Sequence, residues 1–461
     1  MPITRVARPP VSVLWKVDAA GALSACAYVL LLVLSRSKQD VHIAGFLGIM
    51  FTAWALLGLA CTGKAPIPAT RIWLWAIVFR IIGFFGQPVL EDDWYRYLWD
   101  GAVFATTGNP YDQPPGMFFG DPDVPPRLQP ILDGINHPDV PTIYGPVCQV
   151  VFLISYWIAP GKLWPLKLMF IGADLVALGL LASMVKNIVA RLFTYQRAAP
   201  GLLGWIVSNR LLLLYAWCPL LIKEVSFTAH PDILGIAFLI AALTVERPRS
   251  VAIFCALAVG TKILAGLIAV LLLMRLPKRN WLTFGAVLAG LYFPFLVQGS
   301  FGDWAALRQF VGSWEFNSTL YGVMAIWMGT TAAKVICAAL FLIFYVLYSW
   351  KWLRLADPHS APRLCEALPR GDWVFGVFFL LSAVVNPWYL LWMLPFVAIF
   401  PTAAGITALV VISVAYAHGL NLPGSNLGPY DHPTWVRVVE VVTIFVAGSL
   451  PYLVPVRQTR A

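Results

Sequence analysis

The side chains best suited to chemistry stand in one acidic and aromatic block, residues 91–101. The block contains Glu91, Asp92, Asp93 and Asp100 among tryptophan and tyrosine residues, and it follows 90 mostly apolar residues. Carboxylates in an apolar setting are costly unless they meet cations, a metal or a substrate, so the block favours a catalytic or binding site. The alternative is a solvated interfacial loop with a capping aspartate.

The elements that position this block are predicted to be membrane-spanning helices. Hydrophobic residues make up 60% of the 461 residues and charged residues 12%, whereas soluble domains carry about 25% charged residues. Apolar runs recur along the chain with short charged joints between them. This pattern predicts an all-α polytopic membrane protein, with a single transmembrane domain over residues 1–461 and no separate soluble domain.

Charge and cysteine content exclude two other classes of site. The net charge of +10 does not indicate nucleic-acid binding, because the basic residues stand singly or in small groups between apolar runs. The seven cysteines form no CxxC pair, so neither a disulfide framework nor a zinc site is predicted. No cofactor is required by the sequence, and a divalent metal is left open.

Basic residues set the predicted topology. Arg5, Arg8 and Lys16 precede the first apolar run, so the N-terminus is predicted to be cytoplasmic and this run to be a retained span. Three spans then lead to an extracytoplasmic loop over residues 87–163; they cover residues 19–34, 43–61 and 72–88. The loop carries nine of the 22 acidic residues and many prolines, so several short pieces are expected, with an interfacial helix at 147–159.

The remaining apolar runs are predicted to alternate across the membrane and to leave the C-terminus in the cytoplasm. They cover residues 164–185, 203–222, 232–245, 250–261, 263–275, 281–297, 321–350, 373–385, 388–401, 404–420 and 437–456. The pair around Lys262 is predicted to be a tight hairpin, because both of its flanks are basic. About 11–14 transmembrane helices are expected in total.

Several motifs on the predicted outer side resemble those of a known enzyme family. They are Asp92 with Tyr95, Trp99-Asp100-Gly101, Asn109-Pro110-Tyr111, Tyr144-Gly145-Pro146, Glu224 to Asp232, Gly260-Thr261-Lys262, Trp314-Glu315-Phe316-Asn317 and Asn386-Pro387-Trp388-Tyr389. In their order and shared face they are similar to the GT-C membrane glycosyltransferases, above all to bacterial polyprenyl-phosphate-mannose-dependent mannosyltransferases and more distantly to the first GPI mannosyltransferase. The likeness covers about residues 85 to 400.

The resemblance implies a GT-C-like bundle with a long first active-site loop. It implies transfer of a hexose, mannose by preference, from a polyprenyl-phosphate sugar to a glycan or lipid acceptor, with inversion at the anomeric carbon. It also implies an integral plasma-membrane protein with an extracytoplasmic active site, whose partners are a lipid-linked phosphosugar donor, a glycan or glycolipid acceptor and membrane lipids. Glucose and arabinose are the nearest alternative donor sugars.

Such a transfer needs a general base for the acceptor hydroxyl. Asp92 is the first candidate and Asp93 the alternative, because neighbouring side chains on a helix point about 100° apart. The family often has two acids separated by one residue, whereas Trp94 stands at the third position here, which leaves open the base and any metal held by two acids. Arg96 is expected to pair with Asp92 or to form an ordinary helix-start ion pair. Asp100 is expected to orient Arg96, bind sugar hydroxyls or make a structural hydrogen bond.

The leaving lipid phosphate needs cations where negative charge develops. Lys262 is the first candidate, because a lone ammonium in an apolar hairpin is costly unless an anion meets it; snorkelling to water is the alternative. Lys223 is the second candidate, unless it simply pairs with Glu224. Arg210 is predicted to be structural.

Other polar residues are candidates for substrate binding. His230 and Asp232 suit the donor phosphate or a divalent ion, although two ligands are far from a metal signature, and helix capping is the alternative for Asp232. The candidates for stacking on a sugar or bonding to it are Tyr144, Trp314, Asn317, Asn386, Trp388 and Tyr389. An aromatic belt at the membrane surface would explain the rings equally well.

Two further classes of function compete with the enzyme. A transporter or flippase of lipid-linked sugars should have internal repeats and polar residues at the membrane midplane, whereas this chain has no convincing repeat and gathers its polar segments at one face. A non-catalytic assembly protein is the third class.

Overall fold

The computed structural model of the protein describes residues 11–37, 41–63, 65–195, 200–300, 302–354 and 368–450, and these residues form helices joined by short connections. Among them the sole β-type pairing is one parallel bridge between Phe316 and Val384. The α-helices are α1 Val11–Ser35, α2 Ile43–Cys61, α3 Ala69–Phe85, α4 Asp93–Thr107, α5 Gln129–Asp133, α6 Pro146–Ile158, α7 Trp164–Tyr195, α8 Pro200–Val207, α9 Arg210–Ala216, α10 Pro219–Leu221, α11 Asp232–Thr244, α12 Pro248–Thr261, α13 Gly266–Met274, α14 Arg279–Leu296, α15 Trp304–Ser313, α16 Leu320–Met328, α17 Thr330–Arg354, α18 Gly371–Leu381, α19 Leu394–Ile399, α20 Ala403–Val411 and α21 Thr434–Ser449.

Shorter helical turns connect several of these elements. A π-helical turn covers Ile222–Phe227, and 3-10 turns cover Pro115–Phe118, Ile263–Ala265, Pro387–Trp392, Ile412–Tyr416 and Gly419–Asn421. In the described part of the chain, four helices are long and apolar enough to cross a membrane: Val11–Ser35, Ile43–Cys61, Trp164–Lys186 and Thr330–Arg354. The prediction of an all-α membrane protein is confirmed, and the total number of crossings stays a prediction.

Two predicted spans are interrupted in the structure. The run at 321–350 divides into α16 and α17 at Gly329, whose φ of 83° lies in the left-handed region. The run at 203–222 divides at Asn209, with a φ of 61°, and again at Pro219. Periodicity did not reveal these breaks, because apolar residues continue on both sides of each one.

Residues 210–237 are all buried and lie in the core of the protein. Arg80 and Asp174 are also buried in the core, where they form an ion pair of 2.6 Å with each side chain only 1% exposed. The guanidinium also donates to the carbonyl oxygens of Ala76 and Ala216. Arg80 therefore joins α3 to α7 through Asp174 and to α9 through Ala216.

The loop over residues 87–163 contains the helices α4, α5 and α6. The 13-residue helix α6 coincides with the predicted short apolar helix. It packs closely on α4 at Gly101, where a Cβ atom would lie 2.5 Å from the carbonyl oxygen of Phe152. Gly101 therefore fixes the distance between α4 and α6.

Lys262 separates α12 from the turn that leads into α13. Its backbone is extended, with φ −156° and ψ 132°. Cys255 and Ala269, each seven residues away from Lys262, belong to one buried cluster. The chain therefore folds back at Lys262, in agreement with the predicted hairpin.

Candidate active site

A cavity of about 550 Å³ opens at the start of α4. Its wall combines the acidic block, the loop before α6, the hairpin tip, and segments near residues 310–316, 384–389 and 416–430. The lining residues are Leu90, Glu91, Asp92, Asp93, Arg96, Asn136, His137, Val140, Pro141, Ile143, Tyr144, Lys262, Phe310, Trp314, Glu315, Phe316, Val384, Asn386, Pro387, Trp388, Tyr389, Tyr416, His418, Leu420, Asn421 and Tyr430.

Asp92 and Asp93 form the acidic edge of the cavity, and the side chains of Asn136 and Tyr144 hold it by hydrogen bonds. Asn136 donates from Nδ2 to Oδ1 of Asp92 at 2.5 Å and to Oδ1 of Asp93 at 3.4 Å. The hydroxyl of Tyr144 donates to Oδ2 of Asp93 at 3.3 Å. Asp92 stands just before the first turn of α4 and Asp93 begins it; both carboxyl groups share Asn136, whereas Tyr144 contacts Asp93.

The electrostatic surroundings make Asp92 a suitable proton acceptor near neutral pH. Burial, with a further contribution from the negative charge of Asp93, raises the pKa of Asp92 to about 7. Burial also raises the pKa of Asp93, against the opposing effects of Asn136, Lys262 and Tyr144. A base whose pKa lies near the working pH combines ionisation with basicity.

Lys262 presents a cation to the same cavity. Its Nζ lies 2.8 Å from Oδ1 of Asp232, and its side chain is 19% exposed. The ammonium also lies 4.2 Å from the ring centroid of Tyr389. Asp232 is 1% exposed and accepts a second hydrogen bond, of 2.6 Å, from Nε1 of Trp392. Asp232 therefore orients Lys262, which lines the cavity.

Arg96 pairs with Asp100 rather than with Asp92. Its Nε donates to Oδ1 of Asp100 at 2.9 Å, and a terminal nitrogen donates to the carbonyl oxygen of Val140 at 2.8 Å. Gln149 donates to the other oxygen of Asp100 at 3.1 Å. The expected pair with Asp92 is not formed because Asp92 precedes the helix, whereas Asp100 lies one turn after Arg96 on the same helical face. The expectation that Asp100 orients Arg96 agrees with this geometry.

Behind the acidic edge lies a buried charge cluster of Glu91, Lys223, Glu224, His230 and Tyr416. Lys223 contacts Glu224 at 3.2 Å and Glu91 at 3.6 Å. The hydroxyl of Tyr97 and Nδ1 of His230 are 3.0 Å apart, and the imidazole stacks on Trp388 with ring centroids 4.2 Å apart.

The structure places nine of the predicted site residues on the cavity wall. They are Asp92, Asp93, Arg96, Tyr144, Lys262, Trp314, Asn386, Trp388 and Tyr389. The other five do not line it: Asp100, Lys223, His230, Asp232 and Asn317. The first four lie behind the wall as partners of lining residues or of one another. Asn317 instead donates to Glu440 at 3.1 Å beside a second cavity, of about 440 Å³.

Several lining residues were not predicted. Asn136 donates to both aspartates. The feature of the sequence that could have indicated it is the polar pair Asn136-His137 within a proline-rich loop. His137 is tilted against Trp314 and stacks on Tyr430, with ring centroids 4.3 Å and 5.3 Å away. No local pattern indicates that Tyr416 and Tyr430, more than 300 residues after the acidic block, contribute to the same wall.

Three side chains are placed so that they could hold a metal ion. Ligand atoms of Glu91, Glu224 and His230 all lie within 4.8 Å of one another. Two of them come from the predicted segment 224–232, and Glu91 was not among the predicted ligands. The ammonium of Lys223 stands among the same carboxylates.

Comparison with known proteins identifies one family. A family model described as Alpha-(1->6)-mannopyranosyltransferase, N-terminal domain, matches residues 19–277, which is more than half of the chain. Neither the comparison with curated proteins nor the comparison with solved structures finds a match. The matched region contains the acidic block, Lys262 and every member of the buried charge cluster except Tyr416.

Proposed function

The chain belongs to the alpha-(1->6)-mannopyranosyltransferase family, and we propose that it transfers a mannosyl group from a polyprenyl-phosphate donor to a hydroxyl of a glycan or glycolipid acceptor. The observation that carries this proposal is that Asp92, Asp93 and Lys262 share one cavity wall. A base and a cation are the two groups that displacement of a phosphate by a hydroxyl requires.

Asp92 is the proposed base. The acceptor hydroxyl loses its proton to the carboxylate while its oxygen forms the new bond to the anomeric carbon. Asn136 holds one oxygen of Asp92 and leaves the other to receive the proton. Asp93, engaged by Tyr144 and Asn136, makes Asp92 more basic through its negative charge and interacts with the positive charge of Lys262.

Lys262 is the proposed partner of the leaving group. As the bond between the anomeric carbon and the phosphate oxygen breaks, the electron pair leaves with the polyprenyl phosphate, and an ammonium near that oxygen stabilises the added charge. A direct displacement inverts the anomeric carbon. A product with an alpha linkage therefore requires a donor with a beta linkage.

The proposed enzyme acts at the extracytoplasmic face of the plasma membrane, with both termini in the cytoplasm and several spans. The loop of residues 87–163 would then face outward. Single cysteines in place of Asp123, in this loop, and of Lys278, between α13 and α14, test this topology, because both positions are exposed. An impermeant thiol reagent applied to intact cells should label position 123 and spare position 278; the reverse pattern would refute the orientation.

Transfer itself is tested with purified protein in nanodiscs and radiolabelled polyprenyl-phosphate mannose, with a mannoside glycolipid as acceptor. Wild type should form a labelled product, and Asp92→Asn should form it at least about 100-fold more slowly while it still binds the donor. The matched control is Asp123→Asn, an exposed aspartate of the same loop, which should retain full activity. Full turnover by Asp92→Asn would exclude Asp92 as the base.

A further inference from the structure

The buried charge cluster behind the acidic edge is organised around Lys223. This side chain has no exposed surface. Its ammonium lies 3.2 Å from Oε2 of Glu224 and 3.6 Å from Oε1 of Glu91, and it donates to the hydroxyl of Tyr416 at 2.6 Å. That hydroxyl in turn donates to Glu224. One cation therefore joins a carboxylate of the active-site loop to a carboxylate of the core.

The backbone is strained at both places where the chain delivers a member of this cluster. Leu90, directly before Glu91, has a φ of 59°, and Ala229, directly before His230, has a φ of 67°. Left-handed conformations cost free energy for residues other than glycine and persist only where the surroundings hold them. These two strained residues indicate that contacts within the cluster determine the backbone conformation of both segments.

The remaining members have the chemistry of a cation site. Oxygen atoms of Glu91 and Glu224 and a nitrogen of His230 lie within 4.8 Å of one another. His230 is fully buried, and its Nε2 lies 3.4 Å from Glu224 without making a hydrogen bond. Carboxylate oxygens and imidazole nitrogens are ligands that Mn²⁺ and Zn²⁺ accept.

We propose that the ammonium of Lys223 is the resident cation of this cluster and occupies the position that a divalent metal ion would take among Glu91, Glu224 and His230. By holding Glu91, it fixes the next two residues, Asp92 and Asp93, at the cavity wall. Lys223 is thus a positioning residue that reaches no substrate. The catalytic consequence rests on the proposed function, whereas the exchange of ammonium for metal does not.

Cation binding is tested first, because its readout needs no substrate. The full-length protein in detergent is titrated with Mn²⁺, and free Mn²⁺ is followed by electron paramagnetic resonance. We expect Lys223→Ala to bind one more Mn²⁺ per chain than wild type does, and Lys223→Ala/Glu224→Gln to lose this site. The proposal is overturned if wild type itself binds a Mn²⁺ that Glu224→Gln removes, or if Lys223→Ala gains no site.

Catalysis is tested with the nanodisc transfer assay. Lys223→Ala should have a kcat about 100-fold below wild type with an unchanged KM for the donor, because a misplacement of ~1 Å costs a reaction about that much. Mn²⁺ should raise the kcat of Lys223→Ala about tenfold, as expected when a metal restores part of that positioning, and should leave wild type unchanged. A folded Lys223→Ala with wild-type kcat, or with a low kcat that Mn²⁺ does not raise, would overturn the proposal.

A second variant covers the case in which Lys223→Ala does not fold. Glu91→Gln keeps the volume and removes the charge that Lys223 holds, so it should show the same fall in kcat with an unchanged donor KM. Asp123→Asn is again the control. Unchanged kcat in Glu91→Gln would overturn the positioning role. If wild type transfers no sugar at all, the proposed function fails, and the Mn²⁺ titration still decides the identity of the resident cation.

Discussion

The backbone amide of Gly145 donates a hydrogen bond to the carbonyl oxygen of Thr261 across 3.3 Å. This contact joins the segment that carries Tyr144 to the hairpin that carries Lys262. A Cβ atom on Gly145 would collide with the carbonyl oxygen of Gly260. Two sequence motifs more than 100 residues apart are therefore parts of one backbone junction, which sets the distance between the acidic edge and the cation.

Substitution of Gly145 by alanine should disable the site without unfolding the protein. The methyl group must push the hairpin away, which moves Lys262 relative to Asp93. We expect Gly145→Ala to lower kcat about 100-fold, the cost of a displacement of ~1 Å at a reacting centre. The measurement is mannosyl transfer in nanodiscs, with thermal unfolding of the same sample.

Gly172→Ala is the matched control for this substitution. Gly172 lies within α7, and no atom stands within 4 Å of the position its Cβ would occupy. Alanine is favoured over glycine inside helices, so this variant should keep wild-type activity and stability. Wild-type kcat in Gly145→Ala would show that the junction tolerates movement.

The pH dependence of kcat should report the proton acceptor. Asp92 must be ionised to accept a proton, and burial together with Asp93 raises its pKa to about 7. The rate should therefore fall about tenfold for each pH unit below 7 and level off above it. On the plateau above pH 7, Asp92→Asn should lower kcat by about 10²–10⁴-fold, the usual contribution of a general base, and its rate should no longer fall with Asp92 protonation at lower pH.

Asp93→Asn distinguishes the two acids in the same assay. Removing the negative neighbour lowers the pKa of Asp92, so the midpoint of the pH profile should move to lower pH while measurable activity remains. If Asp93 is the base instead, this variant loses activity at all pH values and Asp92→Asn retains it.

The sequence predicted which residues line the cavity better than it predicted which side chains those residues contact. Composition and apolar periodicity predicted an all-α membrane protein, and basic flanks predicted the hairpin at Lys262. The acidic block made Asp92 and Asp93 the candidates for the base, and both residues line the cavity. These features depend on local pattern and charge, which a sequence displays directly.

What the sequence could not predict depends on contacts between distant segments. The partner of Arg96 followed from where α4 begins, since a start at Asp93 leaves Asp92 outside the helix and selects Asp100. The sequence ranked Lys262 ahead of Lys223 and offered Glu224 as the alternative partner of Lys223. Only packing shows that Glu91 and Tyr416 also contact Lys223, whereas Lys262 reaches the cavity.

Lys262 should act on the leaving group rather than on the acceptor. We expect Lys262→Met to raise the KM for the donor and to lower kcat by about 10²–10³-fold, the range measured when one group that stabilises developing charge is removed. Lys262→Arg should recover part of the rate, because it keeps the charge. Initial rates at varied donor and acceptor concentrations separate the two substrates.

The control for Lys262 is Lys278→Ala, since Lys278 is exposed at the start of α14. This variant should leave both KM values and kcat unchanged. An increase in the acceptor KM alone for Lys262→Met would contradict the proposed contact with the donor phosphate and would assign Lys262 to the acceptor.

The ion pair of Arg80 and Asp174 should matter for stability and leave the chemistry intact. Both side chains are 1% exposed, and Tyr215 donates to the second oxygen of Asp174 at 3.2 Å. Asp174→Asn leaves a buried guanidinium without its counter-charge, which typically costs about 3–5 kcal/mol. Asp18→Asn weakens the partly exposed pair with Arg71, keeps an oxygen that can accept from Trp75, and should change stability by about 0–1 kcal/mol, as surface pairs do. Thermal unfolding of the two variants in one detergent compares these costs, and equal stabilities would mean that the buried pair contributes nothing beyond a surface one.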